Sequence, residues 1–162
     1  MMQKRLEFIF ITTIIIVVAF LFVQSCLAKE GDGTLIARIV YAESSGQPQI
    51  GKEYIVCTIL NRVDKKGYPK TIHNVIYQKN AFSCVVDGSL LWKESANPEK
   101  LNGRKLAEWK KCVEATTAAM QDRQNHDKIA YRTITAAQRG CGDSYFRKLT
   151  FVDCIGDHLF YK

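Results

Sequence analysis

At 162 residues the chain has room for one domain, and a leader at its start makes the folded part smaller still. A formal net charge of +7 suits an anionic partner. The basic residues are scattered, with no basic stripe interleaved with aromatics, which argues against a nucleic-acid-binding protein and for a cell wall or membrane surface.

The first 28 residues have the anatomy of an export signal. Lys4 and Arg5 precede an apolar run from Phe8 to Val23, broken only by Thr12 and Thr13, and Cys26-Leu27-Ala28 offers small residues for cleavage after Ala28. Two other fates fit the same residues: an uncleaved membrane anchor, since about 17 apolar residues can just span a bilayer, or lipidation at Cys26. All three put the domain outside the cytoplasm. Cleavage is the expectation, making 1–28 a signal peptide and 29–162 the functional domain. It removes Lys4, Arg5 and Glu7 and lowers the formal charge from +7 to +6.

After a polar entry at 29–34, Leu35, Ile36, Ile39 and Val40 fall at helical spacing, and Glu43 follows a turn later. Ser44, Ser45, Gly46 and Pro48 stop this helix. Its apolar face therefore runs into a carboxyl at the negative end of the macrodipole, where burial against Tyr41 or Tyr54 would further favour the protonated form. A carboxyl that keeps its proton is what a general acid needs. The plainer alternative is a solvated helix-end residue.

Ile50–Val63 reads as the central helix, although Tyr54 to Leu60 is β-branched enough for a buried strand and periodicity alone does not separate the two. A charged loop at 64–69 leads to a short helix over Thr71–Tyr77, with Thr71 as cap and Ile72, Val75 and Ile76 on one side. Phe82–Leu91 reads as irregular or hairpin-like, turning at Asp87-Gly88. The longest helix is expected at about Arg104–Gln124, with Leu106, Trp109, Val113, Thr117 and Met120 inward and Lys105, Glu108, Lys111 and Asp122 in water. Short strands are expected at Ile129–Thr133 and Leu149–Ile155, with a Gly140-Cys141-Gly142 turn between them. The sum is a mainly helical α+β domain with a small β-sheet.

Six cysteines in an exported chain raise the question of disulfides. Without Cys26 five remain. Cys57, inside the apolar YIVCTIL, reads as a small buried residue. Cys141 and Cys154 flank a short late segment and are the most natural pair; Cys84 with Cys112 is a weaker one.

Three blocks stand in order along the chain. Ala37, Arg38, Tyr41, Ala42, Glu43 and Gly46 are followed by Asn61, Arg62 and Val63; then come VIYQKNAFSCVVDG (Val75 to Gly88) and IGDHLFY (Ile155 to Tyr161). Together they resemble the SleB/CwlJ-type cell wall hydrolases, the family of spore cortex-lytic enzymes and their relatives, and they span nearly all of the chain after its leader. The resemblance implies a single lysozyme-like, lytic transglycosylase-like domain that works without a cofactor. It implies peptidoglycan glycan strands as the partner, cut between N-acetylmuramic acid and N-acetylglucosamine.

The family chemistry would make Glu43 the one catalytic acid/base. The muramic acid 6-hydroxyl attacks, so the two-carboxylate arrangement of ordinary glycosidases is not required. That suits a chain whose other nearby acids, Glu53, Asp64 and Asp87, stand at no telling spacing. By the same analogy Ser44 would orient Glu43, or merely cap the helix, and Asn61 would face substrate or serve as a structural amide. Gln78, Phe82 and Ser83 would form a cleft wall, and Tyr131 would line the groove. Two departures stand out: Ala81 where the family has Gln, and Asp157 where Asn is commoner. The closing block reads as mainly structural.

Other chemistries fit less well. His73, His126 and His158 with Asp153 or Asp157 lack any tight zinc-ligand spacing, so no metal is expected. Cys84 as a nucleophile with His126 or His158 would lie in a strand or loop rather than at a helix start. A non-catalytic wall-binding protein of the same fold is the alternative of a different class. A monomer is expected, touching membrane only through an uncleaved N-terminal segment.

Overall fold

In the computed structural model, which describes residues 30–122, 130–140 and 142–162, two long helices come first: α1 (Asp32–Ser44) and α2 (Gln49–Asp64). Three short ones follow, α3 (Ile72–Ile76), α4 (Ser83–Val86) and α5 (Leu90–Glu94), then a 3₁₀ turn at Pro98–Lys100 and the long α6 (Gly103–Gln121). The chain closes with β1 (Ala130–Thr133), two single-turn helices α7 (Ile134–Gln138) and α8 (Asp143–Phe146), β2 (Phe151–Ile155) and β3 (His158–Tyr161). Residues 31–162 form one unit.

The long helices α1, α2 and α6 pack on one another. In α1 the spacing predicted from sequence holds: Leu35, Ile36, Ile39, Val40 and Tyr41 are all buried. Each fully buried aliphatic side chain of this kind contributes about 1.5–3 kcal/mol. The six consecutive residues Ile55–Leu60 are buried in α2, which is why they read equally well as a strand. A helix enclosed on all sides has no polar face to betray its period.

Two expectations need correction. The inward face of α6 is Trp109, Cys112, Ala115, Thr116 and Ala119, whereas Val113 and Met120 are 39% and 42% exposed and Thr117 is exposed. Small residues let α6 approach its neighbours closely, and only Trp109 adds bulk there, edge-on to Tyr41 at 5.9 Å between ring centroids. Reading by hydrophobicity favours the large side chains and so rotates the stripe off its true centre. The segment after Phe82 is not a hairpin. It forms α4 and α5, because Gly88 takes φ +58° between them and the Ser89 hydroxyl caps α5 by accepting from the Trp92 N–H at 3.3 Å.

The sheet is antiparallel in the order β1-β3-β2, with Tyr131 opposite Phe160 and Thr133 opposite His158. The turn of the β2–β3 hairpin is Gly156-Asp157. As expected, Thr71 caps α3, its hydroxyl accepting from the Asn74 N–H at 3.2 Å.

Cys84 and Cys112 are free buried thiols, one beside Glu43 and one in the packed face of α6, so the bridge considered between them is not formed. Cys154 is a free, exposed thiol. Its expected partner Cys141, together with Cys26, His126 and the leader, lies outside the described residues. Among the described residues no helix is long and apolar enough to cross a membrane.

Candidate active site

Glu43 is the penultimate residue of α1, where the apolar face of the helix ends at the wall of a cleft of about 690 Å³. The Glu43 side chain is half-buried. Its Oε1 accepts a hydrogen bond from the backbone N–H of Cys84 at 3.3 Å, in the first turn of α4. Tyr131, on β1, lines the same cleft beside this carboxyl. Tyr41 and Tyr54 pack elsewhere, on Trp109 and Phe160, so the groups that meet the carboxyl come from two distant stretches of chain.

The neighbours of Glu43 are held in their neutral forms. Burial raises the Tyr131 phenol well above its ordinary value, the Glu43 charge and hydrogen bond raise it further, and the Arg62 charge opposes them. Tyr131 is therefore a donor throughout the physiological range. The Cys84 thiol is pushed up by burial first and then by the charge and hydrogen bond of Glu43. Cys84 does stand at a helix start, contrary to the sequence reading, yet a thiol held protonated is a poor nucleophile. His158 packs edge-on to the Tyr131 ring at 5.3 Å. Burial lowers its pKa, and the charges of Glu43 and Asp157 only partly offset that.

Besides Glu43 and Tyr131, Arg62, Phe82, Ser83, Thr133, Tyr145 and Phe146 line the cleft. Among the described residues that line it, Glu43 is the sole carboxylate. The structure thus brings Glu43, Phe82, Ser83 and Tyr131 together. Ser44 is fully buried and turns its hydroxyl back to the Val40 carbonyl within α1. Asn61 is not a lining residue; Arg62, next to it on α2, takes that place. Gln78 is exposed off the cleft. His73 sits on α3 against Tyr77, far in sequence from His158, and no group of three or more His, Cys, Asp or Glu side chains suited to a metal gathers among the described residues.

Arg62, Thr133, Tyr145 and Phe146 are lining residues that sequence reasoning missed. The Arg62 guanidinium lies 5.8 Å from the ring of Tyr68 and 5.5 Å from that of Phe82. The Tyr68 and Tyr145 hydroxyls are 2.7 Å apart, tying the loop after α2 to α8. Only the Asn-Arg-Val ending of α2 hinted at Arg62; nothing local marked Tyr145. Arg38 of the first block is structural: it stacks on Trp92 at 3.9 Å and donates to Ser95 Oγ at 3.4 Å, tying α1 to α5.

A mainly helical domain with a small sheet and one glutamate at its cleft is the architecture of lysozyme-like, lytic-transglycosylase-type proteins. Solved structures agree. The catalytic domain of the germination-specific lytic transglycosylase SleB from Bacillus anthracis superposes with a TM-score of 0.61 at 25% identity, covering 83% of this chain and 97% of that one. The catalytic domain of Bacillus cereus SleB gives 0.56 at 26% identity, covering 81% and 89%. A family model described as Cell Wall Hydrolase matches residues 46–161, beginning just after Glu43. The chain belongs to this cell wall hydrolase family. Among named relatives, the spore cortex-lytic enzyme of Bacillus cereus is 39% identical over 62 residues, and that of Oceanobacillus iheyensis 37% over 66. These alignments take in 38% and 41% of this chain but only 24% of each relative, so the chain spans about a quarter of the length of those enzymes.

Proposed function

We propose that this protein cleaves the glycan strand of peptidoglycan between N-acetylmuramic acid and N-acetylglucosamine as a lytic transglycosylase, with Glu43 as the only catalytic carboxyl. The observation that carries the reading is that Glu43 is the sole carboxylate among the described residues lining the cleft, held by the Cys84 N–H and flanked by Tyr131. Glu43 gives its proton to the glycosidic oxygen as the bond to the muramic C1 breaks. It then takes the proton of the muramic 6-hydroxyl as that oxygen closes on C1, leaving a 1,6-anhydro end and a regenerated acid. No water, metal or cofactor enters the balance, and no second carboxylate is needed to activate one. Tyr145, 40% exposed, offers ring surface to the sugars and Ser83 a hydroxyl, while Phe82 is buried in the wall behind them.

The leader and the basic charge support an exported enzyme that acts in the periplasm, cell wall or medium, its mature chain beginning at Lys29. Glu43→Gln tests the assignment, because it keeps size and polarity but can neither deliver nor retrieve a proton. Wall lysis should fall roughly 10²–10⁴-fold with folding and wall binding retained. A variant that cleaves like the parent would sink the proposal.

A further inference from the structure

The turn that follows Glu43 is held from two directions. On one side Lys52 of α2 is buried and donates to the Ser44 carbonyl at 2.9 Å, to the Gln47 carbonyl, and to Glu108 Oε1 of α6 at 2.7 Å. The same Glu108 oxygen accepts from the Gly46 N–H at 2.9 Å. On the other side the β2–β3 hairpin docks against the turn. Gln47 Nε2 donates to Asp157 Oδ2 at 3.0 Å, and the Asp157 N–H donates back to Gln47 Oε1 at 3.0 Å. Gly156 fits beneath this pair with no room to spare: a Cβ there would overlap the Gln47 amide and come within 3.0 Å of Pro48 Cδ, and its φ of +55° already favours glycine.

These contacts close a ring. Glu43 leads into the turn, and the turn grips the hairpin at Asp157. The next residue, His158, packs on the Tyr131 ring, and Tyr131 lines the cleft beside Glu43. We infer that Gln47 and Asp157 are positioning residues, whose two-way hydrogen bond fixes the hairpin to the turn after Glu43 and so sets the Tyr131 hydroxyl against the Glu43 carboxyl. The inference rests on the reading of Glu43 as acid/base. Neither residue lines the cleft, so both act on the geometry of the reacting group rather than on the hold on substrate. Lys52 and Glu108 fix the turn independently, so the fold does not depend on the Gln47 side chain.

The test is kinetics on the full chain with soluble glycan strands. Gln47→Ala and Asp157→Ala should each lower kcat about tenfold with KM nearly unchanged, and the double variant should lose little more than either single one. Asp157→Asn, which keeps an acceptor for Gln47 Nε2, should recover most of what Asp157→Ala loses. A readout independent of cleavage is the ζ-carbon NMR signal of ring-labelled Tyr131, identified with Tyr131→Phe. It should respond to Glu43→Gln in the parent background and lose most of that response when Gln47 is Ala. Unchanged kcat in Gln47→Ala, a loss confined to KM, or an unaltered Tyr131 response would overturn the inference. A parent that cleaves no glycan would contradict the proposed function instead, and the NMR comparison would then decide the positioning role alone.

Discussion

Glu43 owes its place to α1 and its environment to residues remote in sequence. The apolar stripe that ends in a carboxyl is visible in the first block, because helical spacing is local. The Cys84 N–H that meets it comes from 41 residues further on, and Tyr131 from later still. No sequence periodicity reports such contacts. Tyr131→Phe keeps the ring that packs on His158 and Phe160 but removes the hydroxyl. If the Tyr131 hydroxyl supports the Glu43 carboxylate formed as its proton leaves, a bond worth about 1.5–3 kcal/mol, kcat should fall roughly 10–100-fold with little change in thermal stability. Parent-like turnover in that variant would reduce Tyr131 to a wall of the cleft. Phe82 and Ser83 were legible through the second block, whereas Ser44, singled out for its chemistry, spends its hydroxyl within α1, and Asn61, within α2, does not line the cleft. A polar residue at a helix end looks the same in sequence whichever way its side chain turns.

At the scale of elements, the feature that sequence concealed most fully is the Lys52–Glu108 pair. Lys52 lies next to an apolar run and Glu108 looked like a water-facing residue of α6, yet the two meet at 2.7 Å with the lysine 1% exposed. A buried cation whose partner is removed is strongly destabilising, and so is the reverse. Lys52→Met should therefore cost roughly 3–5 kcal/mol in urea unfolding, and replacing both residues by apolar ones should recover much of it. Equal stability of the single variant and the parent would mean the pair is not buried in solution. The same pair makes a pH prediction. Burial by itself would raise the Glu108 carboxyl, but the hydrogen bonds from Lys52 and the Gly46 N–H outweigh it and hold the group below its ordinary value. A carboxyl depressed in the folded state adds stability that is present above about pH 4.3 and lost as pH falls through its folded value. The stability gap between the parent and Glu108→Gln should hence narrow below about pH 4; a gap constant from pH 7 to pH 3 would contradict the sign. The long helices were readable because each carries a sustained apolar pattern. The single-turn helices α4, α5, α7 and α8 were not, since four or five residues hold too little of any period; α3, equally short, was legible through its Thr71 cap.

For the molecule as a whole, the mainly helical α+β class and the family followed from three blocks in order, and the structure adds the cleft that unites parts of the first two, with the third paired to the strand that carries Tyr131. The export proposal makes its own prediction: N-terminal sequencing of material recovered outside the cell should begin at Lys29, and retention of Met1 would instead mean an anchor. The central claim is that one carboxyl, with no activated water, cuts the glycan strand. Mass spectrometry of purified peptidoglycan digested by the protein tests it most directly. The account predicts non-reducing 1,6-anhydromuropeptides, absent when Glu43 is replaced by Gln; products with reducing ends would contradict it, because they require water as the nucleophile and a second group to activate it.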